Sequence, residues 1–279
     1  MNLKHSVESA ELQFKQILED FFTSVYDEKS LSSHGIDHHR RVWNNAKELL
    51  SVKNDSKSNL PPQFTLKLII ACYLHDIGIS VDSGIRHGKH SRKLCIDFLI
   101  KNNLPVREYE DLLETIENHD RKEYEGNSEV GELLTILSVA DDLDAFGFSG
   151  IYRYSEIYLI RGIKPELIGV SIIENAGKRF DHFKKNFGFN NSLVQKHRIR
   201  FDTLIRFFSE YNKQVPSYRF DGQHLQGFCG VMEIFIQMIK NKKEFNKIYS
   251  EQEKYPDDQV IQWFFNGLKT EMGNCHPEQ

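Results

Sequence analysis

Cysteine is scarce in this chain and never closely spaced: Cys72, Cys95, Cys229 and Cys275 are its four, and none form a CxxC pair. They read as buried thiols in a reducing cytosol, not as a disulfide framework. Long apolar runs are also missing. The most apolar stretch, residues 66–74, is far too short to span a bilayer, and the opening MNLKHSVESAELQF has acidic residues and no apolar core of a signal peptide. Neither export nor membrane embedding is expected, and the expected location is cytoplasmic. Charge of one sign is absent too. With 36 basic and 40 acidic residues the formal net charge is −4, so no global basic field recruits nucleic acid or an anionic membrane, although a local basic pocket stays open.

Other absences narrow the chemistry. There is no alternating run of β-branched residues and no Asn-Gly or Asp-Gly hairpin between two such runs, which argues against a sheet. A P-loop glycine pattern, a G-x-S-x-G elbow and an H-E-x-x-H run are all missing, which removes the usual readings as nucleoside-triphosphate motor, α/β-hydrolase and zincin. No internal repeat or low-complexity tract is visible.

What is present is helical periodicity. A chain of 279 residues with 39% hydrophobic residues can bury a sizeable core. Apolar residues recur at i, i+3, i+4 and i+7 over 11–26, 42–52, 64–74, 91–99, 109–116, 129–143 and 193–211, which predicts an all-α helical bundle. Polar or Gly/Pro-bearing stretches at 54–62, 102–105 and 147–150 punctuate it. Pro216 lies in a polar stretch at 213–218, after which two or three Phe- and Lys-rich helices are expected. The expected organisation is therefore a helical domain over 1–214 with its motif core at 30–160, and additional C-terminal helices over 215–279. The aromatic stripes Phe207-Phe208 and Trp263-Phe264-Phe265 are expected to be packing surface.

Histidine is the residue that stands out, with 12 in the chain. His34 and His38, His75-Asp76, His87 and His90, His119 and Asp141 follow one another in segments that lie far apart in the chain. Imidazole nitrogen together with carboxylate oxygen suits a divalent transition ion, where a purely oxygen-loving cation would not ask for so many histidines. A His-Asp dipeptide alone means little. His75-Asp76, however, closes an apolar helix, LKLIIACYLHDIG, and two ionisable groups at a buried helix end need partners, since an unpaired buried carboxylate costs on the order of several kcal/mol. A shared cation satisfies both.

Taken in order, HGIDHHRRVW, LHDIG, RHGKHS, ENHD and ADDLDAFG resemble the H…HD…H…H…D signature of the HD-superfamily metal-dependent phosphohydrolases. The resemblance implies that His38, His75, Asp76 and Asp141 hold a first ion, that Asp76 can bridge to a second, and that His87 and His119 serve that second site. It implies one or two divalent ions of the Mn, Fe, Ni, Co, Zn or Mg kind, with manganese favoured. Asp76, His87 and His119 are the candidate catalytic groups; whichever of His87 and His119 is not tied to metal could protonate a leaving oxygen. Asp142 and Asp144 are expected to cap or to orient an imidazole. His34, His39 and His90 are adjacent alternatives. His5, His182, His197, His224 and His276 lie outside the motifs and are expected to be surface or core residues.

Basic side chains flank these positions: Arg40 and Arg41, Arg86, Lys89, Arg121 and Lys122. Phosphate oxygens need such donors, so Arg41, Arg86, Lys89, Arg121 and Lys122 are the candidate substrate contacts. The chemistry implied is metal-assisted hydrolysis of a phosphate ester or anhydride, with water as nucleophile. The segments AGKRFDHFKKNFGFNN and LVQKHRIRFDTLIRFFSEYN loosely resemble the C-terminal helical pair of small bacterial HD proteins that convert nucleoside triphosphates to monophosphate and pyrophosphate. A small-molecule nucleotide is therefore the expected partner. The absence of a GYP tripeptide disfavours cyclic dinucleotides, and the acidic balance disfavours nucleic acid without excluding it. A phosphodiesterase or nuclease, a nucleotide-sensing module that uses 215–279 as a partner surface, and a purely structural set of helix caps are the alternatives, and a homo-oligomer stays open.

Overall fold

The computed structural model describes residues 3–26, 31–54, 63–82, 84, 86–121, 128–241 and 252–273. Among them are eleven α-helices and no strand, in keeping with an all-α chain. They are α1 (Leu3–Val25), α2 (Ile36–Asn54), α3 (Phe64–Leu74), α4 (His87–Lys101), α5 (Glu110–Asn118), α6 (Ser128–Asp144), α7 (Gly147–Ile160), α8 (Pro165–Phe187), α9 (Asn191–Gln214), α10 (Gly227–Lys240) and α11 (Gln259–Gly273). None of these is long and apolar enough to cross a membrane. The chain divides into two compact units, one made of Met1–Asp27 and His34–Asp141, the other of Glu28–Ser33 and Asp142–Gln279. This packing boundary falls inside α6, where composition does not change, and not at 214/215.

In the first unit α3 is the central helix. Its period is not amphipathic, because nine of its eleven residues are buried, from Phe64 through Leu74; a helix that is apolar all round is one that other helices surround. It packs against α1, α2 and α5. Burying Leu68, Ile69, Ile70 and Leu74 contributes about 1.5–3 kcal/mol each. Its end is thereby fixed in position, which matters because His75 and Asp76 follow at once. Arg40 is clamped rather than available to a ligand: its guanidinium donates to both Glu19 carboxylate oxygens at 3.0 and 2.6 Å and to Asp37 at 3.0 Å, while Tyr73 donates to Glu19 from the other side.

In the second unit α8 and α9 pack through Phe180 stacked on Phe201, with Phe146 edge-on to both. Residues 147–150, expected as a break, are instead the first turn of α7. The chain turns at Ala145–Phe146, and Gly147 takes up the required positive φ of 76°. Glu271 of α11 accepts the Phe148 N–H, the Ser149 hydroxyl and an Arg200 N–H at 2.7, 2.7 and 2.8 Å, the first of which satisfies one of the free amides at that helix start. Helices α10 and α11 pack on α7, and α10 also on α9, so residues beyond 215 complete this unit's core. Phe207, Phe208, Phe264 and Phe265 are fully buried there, as the stripes suggested.

Candidate metal centre

Helix α3 ends at Leu74, and His75 still donates its backbone N–H to Ala71. Asp76 then leaves helical geometry, at φ −107° and ψ 4°, to start the turn Ile77–Ser80. Gly78 lies flat against the first turn of α4. A Cβ there would sit 2.3 Å from the His87 carbonyl oxygen and 2.4 Å from the Ser91 amide, and the Gly78 N–H donates to Ser91 Oγ at 2.9 Å. Close backbone contact thus sets His87 opposite Asp76. His38 comes from the first turn of α2, His119 from the residue after α5, and Asp141 from the last turn of α6.

These side chains converge. Donor atoms of His38, His75, Asp76 and Asp141 lie within 4.8 Å of one another, as do those of Asp76, His87 and His119, and every one of these residues is buried. His38 and His75 bring their Nε2 atoms to 3.3 Å. Asp76 Oδ2 is 3.6 Å from the first and 3.5 Å from the second, and Asp141 Oδ1 is 3.8 Å from each. The other Asp76 oxygen, Oδ1, faces away from them, 3.0 Å from His119 Nε2 and 3.4 Å from His87 Nε2. Asp76 therefore belongs to both groups.

Tautomers favour a cation at the centre. His75, His87 and His119 place Nδ1 at 3.1, 2.7 and 2.8 Å from the carbonyl oxygens of Cys72, Gly84 and Ile116. Carbonyls only accept, so each Nδ1 carries the hydrogen and each Nε2 turns its lone pair inward. His39 shares the Cys72 carbonyl at 3.0 Å, and its own buried Nε2 has no hydrogen-bond partner among the described residues. The donor set of imidazole nitrogens and carboxylates fits a borderline divalent ion.

Protonation tells the same story from the other side. Burial alone would raise the Asp76 carboxyl, but the imidazoles of His75, His119, His38 and His87 outweigh it and hold it well below the usual range. Burial lowers His75, with Asp76 and Asp141 offsetting only part of that, and lowers His39 strongly, helped by His38 and His75. At His87 burial is overcome by hydrogen bonds and charge from Asp120 and Asp76, which push it up to about 11. His119 is raised in the same way, against burial, by Asp120 and Asp76. Without an ion, the cluster satisfies its carboxylates by holding protons.

The neighbouring positions divide. His34 is buried with Nε2 at 3.9 Å from Asp76 Oδ2, beside the first group, whereas His90 joins neither group. Arg41 is buried, one turn along α2 from His38. Arg86 is exposed and binds Asp82 at 3.1 Å, Lys89 and Arg121 are exposed, and Lys122 lies outside the described residues. Cys72, Cys95 and Cys229 are buried free thiols; Cys275 is outside the described residues.

Two features escaped the motif reading. Asp120, half of the ENHD dipeptide, places Oδ2 at 2.9 Å from His87 Nε2 and Oδ1 at 3.4 Å from His119 Nε2. In the second unit, fully buried Asp142 accepts from Arg179 at 2.9 Å and from His182 Nδ1 at 2.7 Å. The imidazole it orients is thus one that no motif contains. Arg179→Met should lower the free energy of unfolding by about 3 kcal/mol, because it strips the main counter-charge from a buried carboxylate. Urea denaturation measures this, and a loss within about 0.5 kcal/mol, the range of ordinary surface changes, would show that His182 alone suffices.

Residues 35–145 match the family model described as HD domain. No curated protein and no solved structure matches the chain.

Proposed function

We propose that this chain, whose residues 35–145 match the HD-domain family model, a family in general of metal-dependent phosphohydrolases, hydrolyses a phosphate ester or phosphoanhydride bond of a nucleotide, with release of pyrophosphate from a nucleoside triphosphate as the leading case. The observation that carries this reading is the buried convergence of His38, His75, Asp76 and Asp141, with Asp76 turned toward both groups of imidazoles. A divalent ion held there supplies an activated water and neutralises charge growing on the phosphoryl oxygens.

The chain's own residues do the rest. Asp76 fixes the first group relative to the second through its two oxygens. The carbonyls of Cys72, Gly84 and Ile116 lock the ring orientations of His75, His87 and His119, so that no reorganisation is needed as charge develops. Arg41, on the same face of α2 as His38, is the best-placed candidate for a phosphate oxygen, since guanidinium and phosphate pair through parallel N–H donors. Arg86, Lys89, Arg121 and Lys122 are the outer candidates for a polyphosphate. Manganese is the favoured ion, a small nucleotide the favoured substrate over nucleic acid, and the cytoplasm the favoured setting.

The test is a release assay across nucleoside mono-, di- and triphosphates with protein stripped of metal and reloaded with Mn²⁺, Ni²⁺, Co²⁺, Zn²⁺ or Mg²⁺. Pyrophosphate from triphosphates is the expected product, and orthophosphate would mean that a different bond is cut. Ion binding with no turnover of any nucleotide would overturn the enzyme reading in favour of a sensor. Reloading should also raise the melting temperature by roughly 5 °C or more at a hundredfold excess of ion over its dissociation constant, since such linkage contributes about 2.7 kcal/mol. A melting curve indifferent to Mn²⁺ and to chelator would leave only the structural reading.

A further inference from the structure

We propose that the second unit carries a binding site for a neutral, flat purine base, taken as free base or nucleoside, in a cavity walled by α7, α9 and α11. The inference stands beside the metal-dependent reading and does not rest on it, since every residue that lines the cavity belongs to the second unit and none is a donor of the metal centre.

Trp263 is the member of the aromatic stripes that the core does not take up. Phe207, Phe208, Phe264 and Phe265 are fully buried, whereas Trp263 is partly exposed. Its ring and that of Phe148 line a cavity of about 490 Å³ together with Ile199, which is 70% exposed. A volume of this size is typical of pockets that hold small molecules. The two rings meet at 5.0 Å and 64°, so they form a corner in which a third flat ring can stack on one face and meet the edge of the other. Both rings are held where they are. Phe148 lies on the bare Cα of Gly267, where a Cβ would come within 2.3 Å of the ring, and Trp263 is flanked by Phe228 at 6.1 Å and by the Arg206 guanidinium at 5.5 Å. Close packing seldom leaves apolar space of this size unfilled; here fixed walls keep it open, as a preorganised ligand site requires.

The chemistry of the lining selects the ligand. Arg200 is the cation among the lining residues, and it is already engaged, donating to the Leu143 and Phe146 carbonyls at 2.8 and 2.9 Å and to Glu271 at 2.8 Å. Glu271 in turn accepts from the Phe148 N–H and the Ser149 hydroxyl. The two charges cancel, so the cavity offers no net charge to a phosphate. The Thr203 and Thr270 hydroxyls donate to the carbonyls of Ile199 and Asn266 in their own helices. Direction is left to the side-chain amide of Asn266, which lines the cavity from an exposed position on α11 and can donate and accept at once. An asparagine amide pairs with adenine through N7 and the 6-amino group, and a purine presents that edge in the plane of a ring that the aromatic corner can hold.

Adenosine titrated into the full chain in the presence of chelator tests this. Calorimetry should find one saturable site per chain, and intrinsic fluorescence should fall with the same affinity, because of the two tryptophans Trp43 is buried and Trp263 is not. Asn266→Leu, at an exposed position, should keep the parent's melting temperature. Asn266→Leu and Trp263→Leu should each weaken adenosine at least about fivefold, the lower end of what one amide–adenine pair or one base stacked on an aromatic ring contributes, and Trp263→Leu should also abolish the fluorescence response. Purine riboside, which keeps the ring and lacks the 6-amino group, should bind the parent as weakly as adenosine binds Asn266→Leu. No saturable binding of adenosine, or an unchanged affinity in either variant, overturns the site, and AMP binding tenfold more tightly than adenosine overturns the neutral ligand. Nucleotide hydrolysis is scored separately: adenosine bound here with no nucleotide hydrolysed would sink the metal-dependent reading alone, whereas hydrolysis without this adenosine site would sink the cavity proposal alone.

Discussion

Asp76→Ala should leave a folded protein that retains no transition ion after desalting and hydrolyses nucleotides at least about a hundredfold more slowly than the parent. The reason lies in the division of its two oxygens. Oδ2 is directed to His38 and His75 and Oδ1 to His87 and His119, so Asp76 links the donor group it makes with His38, His75 and Asp141 to the one it makes with His87 and His119. Removing a group that merely supports a ligand costs ten- to a hundredfold in affinity or activity, so losing the shared carboxylate should exceed that at both positions. Folding should survive, because Asp76 lies beyond the end of α3 and the buried apolar residues by which α3 packs against α1, α2 and α5 are left in place. Asp76→Asn should be intermediate, since an amide keeps one acceptor oxygen and forfeits the charge. Elemental analysis, circular dichroism and the release assay together check this. An Asp76→Ala protein with the parent's metal content and turnover would end the claim that this carboxylate joins the two groups.

How far the sequence foretold this arrangement differs from residue to residue. Helix α3 was legible because a fully apolar run closed by His75-Asp76 permits little besides a central helix with a polar site at its tip. The order of histidines and acids was legible because each fell at the end of a separate periodic segment. Asp120 was not, since a His-Asp dipeptide is common by chance and nothing in periodicity says that both its members face one point. The clamping of Arg40 was not legible either, because its partner Glu19 is 21 positions away in α1, and charge clustering in sequence cannot show that a guanidinium is already engaged. The division within α6 was invisible for a related reason. Apolar spacing along a helix identifies its buried face but not which helices cover that face, and α6 carries one continuous pattern through Asp141 and Asp142. Gly147 was read as punctuation when it is the entrance to α7, because a positive φ serves a tight turn between two helices as well as a loop.

Gly78→Ala tests whether the second group of donors is set by backbone contact or by the side chains themselves. The added methyl group would meet the His87 carbonyl oxygen at 2.3 Å and the Ser91 amide at 2.4 Å, and neither is a flexible chain end that could swing aside. The first turn of α4 must then move outward, carrying His87 with it and breaking the Gly78 N–H bond to Ser91 Oγ. Overpacking of this kind costs about 1–3 kcal/mol, with backbone clashes at the upper end, so a loss of about 3 kcal/mol is expected by urea denaturation. Gly177→Ala is the control. That glycine lies within α8 with nothing inside 4 Å of an added Cβ, and the change should stabilise by about 0.5–1 kcal/mol through helix propensity. The sharper expectation concerns ions: Gly78→Ala should weaken binding at His87 and His119 more than at His38 and Asp141, because the latter come from α2 and α6 and do not depend on where α4 begins. Equal weakening of both groups would mean that the turn at Ile77–Ser80 holds Asp76 itself, and that α4 is only a neighbour.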